Sequence, residues 1–426
     1  MLSKIKRTLW GDVSMEEFKH FGLLSATFFF VVGAYWMLRG LKNAFFMHLV
    51  GPDFLPLAKV VSIVSLITIL IFYNKLVDLL EKTKLIYLMT GIYGTSYVLM
   101  AFCLSNPAFA GAWIGWPLYV LIESFGSIVI PLFWAYVASV TDVSKAKKGY
   151  PIIVSGAQLG SMLGCLTVMM FADTLGAPGL VGIGGLLVFA IPVLIYTFNK
   201  NHVATAIEQK EAKKKPTGIL EGLRLLLSKP YLMGILVVST VYEIIATVMD
   251  FMMNKSAFQI YGSLEEVAKF LATFGLCVNA LSFVFALLGT SFFIRRFGLT
   301  KCLVAYPTMI AVLVVAVWWM PGLWVFFGAQ VALKGLSYAL NNPCKEIMYV
   351  PTSKDVKYKA KSWIEAQGGR SAKALGSVIT GSFPVIADLL CYGSIICLGV
   401  IAAWIPIAYL VGSKNQSLVD NNQIIE

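Results

Sequence analysis

Residues 199–218 read NKNHVATAIEQKEAKKKPTG. This is the longest polar stretch in a chain otherwise built from apolar runs. Its lysines have no place in hydrocarbon, so it marks a break in the organisation. Working outward from it, one alternation repeats in both directions: roughly 20 apolar residues, enough to cross a hydrocarbon core of about 30 Å, then a short polar turn. Of 426 residues, 58% are hydrophobic and 13% charged, with mean hydropathy +0.79. A water-soluble chain of this makeup would expose too much apolar surface. The reading is an all-α polytopic membrane protein.

Twelve transmembrane helices are expected, near 21–46, 54–80, 84–105, 113–140, 149–172, 179–198, 231–258, 267–293, 301–320, 323–350, 359–387 and 391–412. The polar stretch separates six from six. The expected organisation is an N-terminal segment 1–20, a six-helix bundle 21–198, a basic linker with an interfacial helix 199–230, a second six-helix bundle 231–412 and a tail 413–426. Leu9 and Trp10 beside Lys4, Lys6 and Arg7 suit a helix lying on the membrane surface. That N-terminus has no adjacent apolar core or cleavage site, so it does not read as a signal peptide.

The loops alternate in charge. EKTK (81–84), DVSKAKKG (142–149), the 199–218 stretch, RRFGLTK (295–301) and SKDVKYKAK (353–361) hold nearly all the loop Lys and Arg. HLVGPDF, LSNPAFAGAWIGW, DTLGAPG, YGSLEE, PG and DLLCYG are neutral or acidic. The positive-inside rule puts the first set, and both termini, on the cytoplasmic side. Contact with anionic lipid then accounts for most of the +12 net charge, and no nucleic-acid partner is needed. Seven cysteines without a CxxC pair and three scattered histidines imply neither a disulfide framework nor a metal site. HExxH, Walker A and GxSxG signatures are absent, so neither an enzyme nor a cofactor is expected.

The two halves repeat. GAQLGSMLG (156–164) matches GGRSAKALG (368–376), LKNAFF (41–46) matches NKSAFQ (254–259), and LAKVV (57–61) matches VAKFL (267–271). Three matches in the same order and at nearly equal spacing indicate a duplication. With the central linker, this suggests the parallel repeat of major-facilitator-like carriers, whose sites lie near the midplane at the repeat interface. Lys42 with Lys255, and Lys59 with Lys269, would then be related across a pseudo-two-fold axis.

Inside or at the ends of the spans lie Arg39, Lys42, Lys59, Glu123, Glu243, Asp250, Lys255, Lys334, Lys345, Glu346, Glu365, Arg370 and Lys373. A charge at mid-depth costs about 2.5–3.5 kcal/mol on insertion scales. So many imply a water-filled cavity or ion pairing, and the surplus of cations implies an anionic ligand. Lys59, Lys269 and Lys373 are also placed to snorkel at an interface, and Glu243 to partner a lysine. Arg39 and Lys42 lie three apart on one helical face. Glu123 is too short to snorkel. Lys345 and Tyr349, four apart, also share a face.

LRGLKNAFF (38–46) with FLPLAK (54–59), LFWAYVASVTDVSKAKKGY (132–150), CKEIMYVPTSKDVKYKAK (344–361) and GGRSAKALGS (368–377) resemble the non-mitochondrial ATP/ADP translocases, the nucleotide transporters of intracellular bacteria and plastids. The resemblance implies twelve helices, a major-facilitator-like fold, and either ATP/ADP exchange or proton-coupled uptake of GTP, other nucleotides or NAD. It places important charges on Lys42 or Lys59, Glu123, Asp250 and Lys345. Asp250 stands where the family commonly has Glu. The expected binding set is Arg39, Lys42, Lys59, Glu123, Asp250, Lys334, Lys345, Glu346, Tyr349 and Arg370, in a monomer of the bacterial inner membrane. Cations grip phosphate, guanidinium in bidentate fashion and lysine as a point charge.

Overall fold

The computed structural model describes residues 14–141, 143–201, 219–288, 291–353, 356, 360–361 and 363–425. The expected surface helix at the N-terminus, residues 202–218 of the linker and most of the lysine run after Pro351 lie outside them. Among the described residues the structure is helical, and ten helices are long and apolar enough to cross a membrane. The two expected spans 149–172 and 179–198 are two helices within Val143–Asn201, which meet at a kink at Gly176. There φ is 67°, a left-handed conformation that glycine adopts without a Cβ clash. The expected span 359–387 appears as a wide π-helical turn, Ile364–Gly368, followed by the short helix Gly369–Ser382.

The described residues pack as two compact units. The first draws on Met1–Pro52, Val61–Lys210 and Ile260–Ala280, the second on Asp53–Val60, Glu211–Gln259 and Leu281–Glu426. The division does not follow the middle of the sequence. Segment 53–60 belongs to the second unit and 260–280 to the first, and these carry Lys59 and Lys269, two positions the duplication aligns.

In the first unit the helix Met15–Leu49 is central. A capping box starts it: the Ser14 hydroxyl accepts from the Glu17 amide at 3.1 Å, and the Glu17 carboxylate accepts from the Ser14 amide at 2.9 Å. Leu24, Val31, Leu38 and Leu41 recur at helical spacing and are fully buried. Against this helix lie the glycines of GAQLGSMLG. A Cβ at Gly156, Gly160 or Gly164 would run into Ser25, Phe29 or Gly33 respectively, one helical turn apart each time. Small residues at four-residue intervals let two helix backbones approach closely.

The second copy of the motif does the same work in the second unit. Gly368 abuts Leu236 and Thr240, and Gly376 abuts the carbonyl of Ile244 and the side chain of Thr247. The duplicated sequence is thus a duplicated helix contact. In this copy Lys373 lies between the two glycines, so the contact carries it toward the helix Tyr242–Ile260.

Many large apolar side chains on the long helices are exposed, among them Phe72, Leu186, Val312 and Leu410. On helices of spanning length this pattern fits contact with lipid, where all backbone groups are satisfied within the helix.

Candidate functional site

The in-span charges fall into two kinds of arrangement. In the first unit, Lys42 on Met15–Leu49 donates to Glu123 Oε2 on the helix Ala112–Val140 at 2.6 Å. The Lys42 side chain is 7% exposed and that of Glu123 35%. The Tyr119 ring, one turn before Glu123, lies 4.3 Å from Lys42 Nζ, a cation–π distance. Arg39 lies over the Trp36 ring at 4.7 Å. Lys269 holds both carboxylate oxygens of Asp173 at 2.8 Å.

In the second unit, Lys59 donates to Asp250 Oδ2 at 2.7 Å, and Lys255 to Asp53 and to the carbonyl of Pro384. All four lysines of the aligned repeats therefore pair with a carboxylate.

The other arrangement centres on Glu243, early in Tyr242–Ile260, which continues the spanning helix Pro230–Ile260. The Tyr242 hydroxyl donates to the Glu243 carboxylate at 2.5 Å. Lys334 Nζ lies 3.8 Å and Lys373 Nζ 3.9 Å from the same oxygen. Lys334 and Lys345 are 5.7 and 5.3 Å from the Tyr242 ring. Three lysines thus converge on one carboxylate and its neighbouring tyrosine.

Local structure fixes each of them. Gln330, one turn before Lys334, donates to the buried carbonyl of Ala246 at 2.7 Å and ties the helix Leu323–Leu336 to Tyr242–Ile260. A wide π-helical turn, Ser337–Asn341, separates Lys334 from Lys345. Such turns are frequent at functional sites. The Asn341 side chain in it is buried with neither amide atom hydrogen-bonded among the described residues. The next helix, Asn342–Met348, is anchored where Tyr231 donates to the Met348 carbonyl and accepts from Asn415, both at 2.8 Å.

Beside Glu243 is a cavity of about 180 Å³, lined by Ser239, Thr240, Tyr242, Glu243, Lys345, Tyr349, Ile364, Glu365 and Gly369. Ser239 and Tyr349 are 3% and 1% exposed, and their hydroxyls have no hydrogen-bond partner among the described residues. Buried hydroxyls without partners are uncommon and mark where a ligand atom or ordered water belongs.

The structure thus brings Lys42 to Glu123, Lys59 to Asp250, and Lys334, Lys345 and Tyr349 around one cavity. Arg370 follows the cavity residue Gly369 and is partly buried. Glu346 is turned to Lys361, whose ammonium meets both its oxygens at 2.8 and 2.9 Å, rather than serving Lys345. Glu243 and Lys373 stand out among the charged residues in the sequence but not as members of a binding set. The available signal was that Glu243 and Asp250, seven apart, share a helix face.

The sequence pattern of the family described as TLC ATP/ADP transporter matches residues 1–110, 107–321 and 315–414. The chain is 25% identical to ADP,ATP carrier protein 2, chloroplastic, of Arabidopsis thaliana, over 97% of this chain and 77% of that protein. It is 21% identical to ADP,ATP carrier protein 1 of Rickettsia prowazekii, over 99% of this chain and 98% of that one. Among solved structures it resembles the nucleoside transporter NupG, with TM-score 0.59, 14% identity, and 92% and 99% of the two chains covered. It also resembles an inward-facing bacterial homologue of the iron transporter ferroportin, with TM-score 0.66, 11% identity, and 94% and 100% covered. At these identities the structural likenesses speak for the fold, which is major-facilitator-like.

Proposed function

The chain belongs to the TLC ATP/ADP transporter family, and from that premise we propose that it exchanges ATP for ADP across a membrane by alternating access. The observation that carries this reading is the convergence of Lys334, Lys345 and Lys373 on the single carboxylate of Glu243 beside a cavity. Several ammonium groups gathered at the edge of one cavity suit phosphate oxygens, with which lysine pairs as a point charge. The names of the relatives supply the class of anion, adenine nucleotides.

In this reading Lys334, Lys345 and Arg370 hold phosphate oxygens in the second unit, with Tyr349 beside them. Arg39, Lys42 and Lys59 are the further cations of the binding set, and Glu123 and Asp250 neutralise Lys42 and Lys59 when no nucleotide is bound. Burying uncompensated charge costs several kcal/mol per ion even after relaxation. A carrier that closes over unneutralised lysines pays that cost, and one that closes over bound polyphosphate does not. Return in the loaded form only is exchange.

The loop lysines suit the cytoplasmic face of a bacterial inner membrane, with both termini inside and anionic lipid at the loops. The protein works as a monomeric carrier rather than an enzyme and uses no cofactor.

A second reading, proton-coupled import of GTP, other nucleotides or NAD, draws on a specific feature. The carboxylates of Glu123 and Asp250 touch their lysines yet remain 35% and 29% exposed, within reach of water and protons.

The deciding experiment is uptake of labelled ATP into liposomes carrying the purified protein. Uptake that requires internal ADP supports exchange. Uptake into empty liposomes driven by a proton gradient supports the second reading. No uptake in either case, from folded protein, overturns both. Under exchange, Lys345→Ala inserts normally and takes up no ATP.

A further inference from the structure

A second cavity in the second unit shares no lining residue with the one beside Glu243 among the described residues. It measures about 320 Å³, and its lining includes Phe297, Lys301, Ala305, Met309, Ala339 and Leu340. Lys301, Ala305 and Met309 recur at four-residue spacing on the helix Leu299–Trp319, so they lie along one face. At about 1.5 Å per residue that face runs about 12 Å from Lys301 to Met309. The cavity is therefore a slot that leads from the end of a span into its apolar part. Small side chains leave it open: Ala305 on one wall and Ala339, in the π-helical turn, on another. At the polar end Lys301 is exposed, as are Arg295 and Arg296, which immediately precede Phe297. None of these three cations meets a carboxylate within ion-pair distance among the described residues.

We propose that this slot binds one anionic phospholipid. An acyl chain lies along Ala305 and Met309, and the headgroup phosphate meets Lys301, Arg295 and Arg296. The apolar walls alone select nothing, because a lipid chain in the surrounding bilayer is already in hydrocarbon. They fix the place and direction of the chain. Selection comes from the cations, each worth about a fivefold preference for anionic lipid near the membrane surface. Attraction of basic loops to anionic lipid is diffuse, whereas a slot with charge at one end holds one lipid in one orientation. The bound chain rests against Ala339 and Leu340, inside the turn that separates Lys334 from Lys345. The site thus adjoins the lysine cluster without using its residues, and it is independent of the identity of the cargo.

The test uses the purified full-length protein in phosphatidylcholine vesicles. These contain a trace of phosphatidylglycerol or of phosphatidylcholine with a photoreactive group on one acyl chain, and the labelled residues are mapped by mass spectrometry. The expected result is labelling concentrated at 301–309 and 336–340, with the phosphatidylglycerol probe favoured about tenfold or more. Lys301→Gln, at an exposed position, is expected to lower that preference about fivefold. The triple variant Arg295→Gln, Arg296→Gln, Lys301→Gln is expected to abolish it. Ala305→Phe fills the slot and moves the label elsewhere; if that variant does not fold, the surface variants still decide.

Label spread evenly over the lipid-facing helices overturns the proposal and leaves ordinary boundary lipid. Equal labelling of the slot by the two probes overturns it as well. So does a preference for phosphatidylglycerol that survives unchanged in the folded triple variant.

Discussion

The in-span charges are held in two ways: as closed pairs, found in both units, and as an open cluster, found in the second. In the first, Lys42 and Glu123 form a closed pair, one cation to one anion at 2.6 Å, with an aromatic ring against the lysine. In the second, Glu243 faces Lys334 at 3.8 Å and Lys373 at 3.9 Å, with Lys345 5.3 Å from the Tyr242 ring. A closed pair satisfies itself and adds little attraction for a third charge. An open cluster holds its lysines near a cavity whose lining also carries Glu243 and Glu365. Although the repeats align well enough to show a duplication, they have diverged in charge, and the open cluster is where several lysines gather at the edge of one cavity.

The contrast can be broken or sharpened by substitution. The largest stability effect is expected for Glu123→Ala. Lys42 is left buried without its acceptor, and removing one member of such a pair costs about 3–5 kcal/mol. Thermal unfolding in detergent measures it, and a loss below about 1 kcal/mol would mean that Lys42 finds water or another acceptor. Lys373→Gln should barely shift the melting temperature, because Glu243 keeps its other partners, yet weaken ATP binding several-fold.

The next effect compares the two copies of the glycine motif. Gly164→Ala and Gly376→Ala each force a methyl group against the facing backbone, and overpacking of this kind costs about 1–3 kcal/mol. Similar losses in both confirm the duplicated contact. A loss only at Gly164 would show that the second copy yields more easily. Gly376→Ala should also reduce exchange, since the same contact carries Lys373 to Glu243.

Smaller still is Tyr349→Phe. Losing one hydroxyl available to phosphate should weaken ATP binding by about 0.5–1.5 kcal/mol, a few-fold to tenfold, with no loss of stability. Asp173→Asn is expected to do least. Its bridge to Lys269 is 67% exposed on the aspartate side, where pairs are worth about 0–1 kcal/mol.

The broad architecture could be read from the sequence because hydropathy and loop charge act locally. Each apolar run of spanning length follows from its own residues, and the recurrence of GAQLGSMLG as GGRSAKALG needed no structure to be seen. The kink at Gly176 falls inside DTLGAPG, where the sequence separates two spans, because a left-handed glycine ends one helix before the next begins. Lys42 with Glu123, and Lys59 with Asp250, appeared as candidates but not as pairs. Which carboxylate meets which lysine depends on how helices 81 or 191 residues apart in sequence rotate against each other. Glu243 was hardest to place. Its role comes from three lysines that meet only after the π-helical turn, the Gln330 anchor and the Gly376 contact have set their helices. Glu346 shows the opposite case. Beside Lys345 in sequence, it faces Lys361 in the structure, because adjacent residues on a helix point about 100° apart.

The most direct measurement is equilibrium binding of labelled ATP to purified Lys345→Gln, set beside wild type and Lys373→Gln. The open cluster predicts a loss of about a hundredfold or more at Lys345 and a smaller loss at Lys373, with all three proteins equally folded. Wild-type affinity in Lys345→Gln would contradict it and place the phosphate away from the Glu243 cavity.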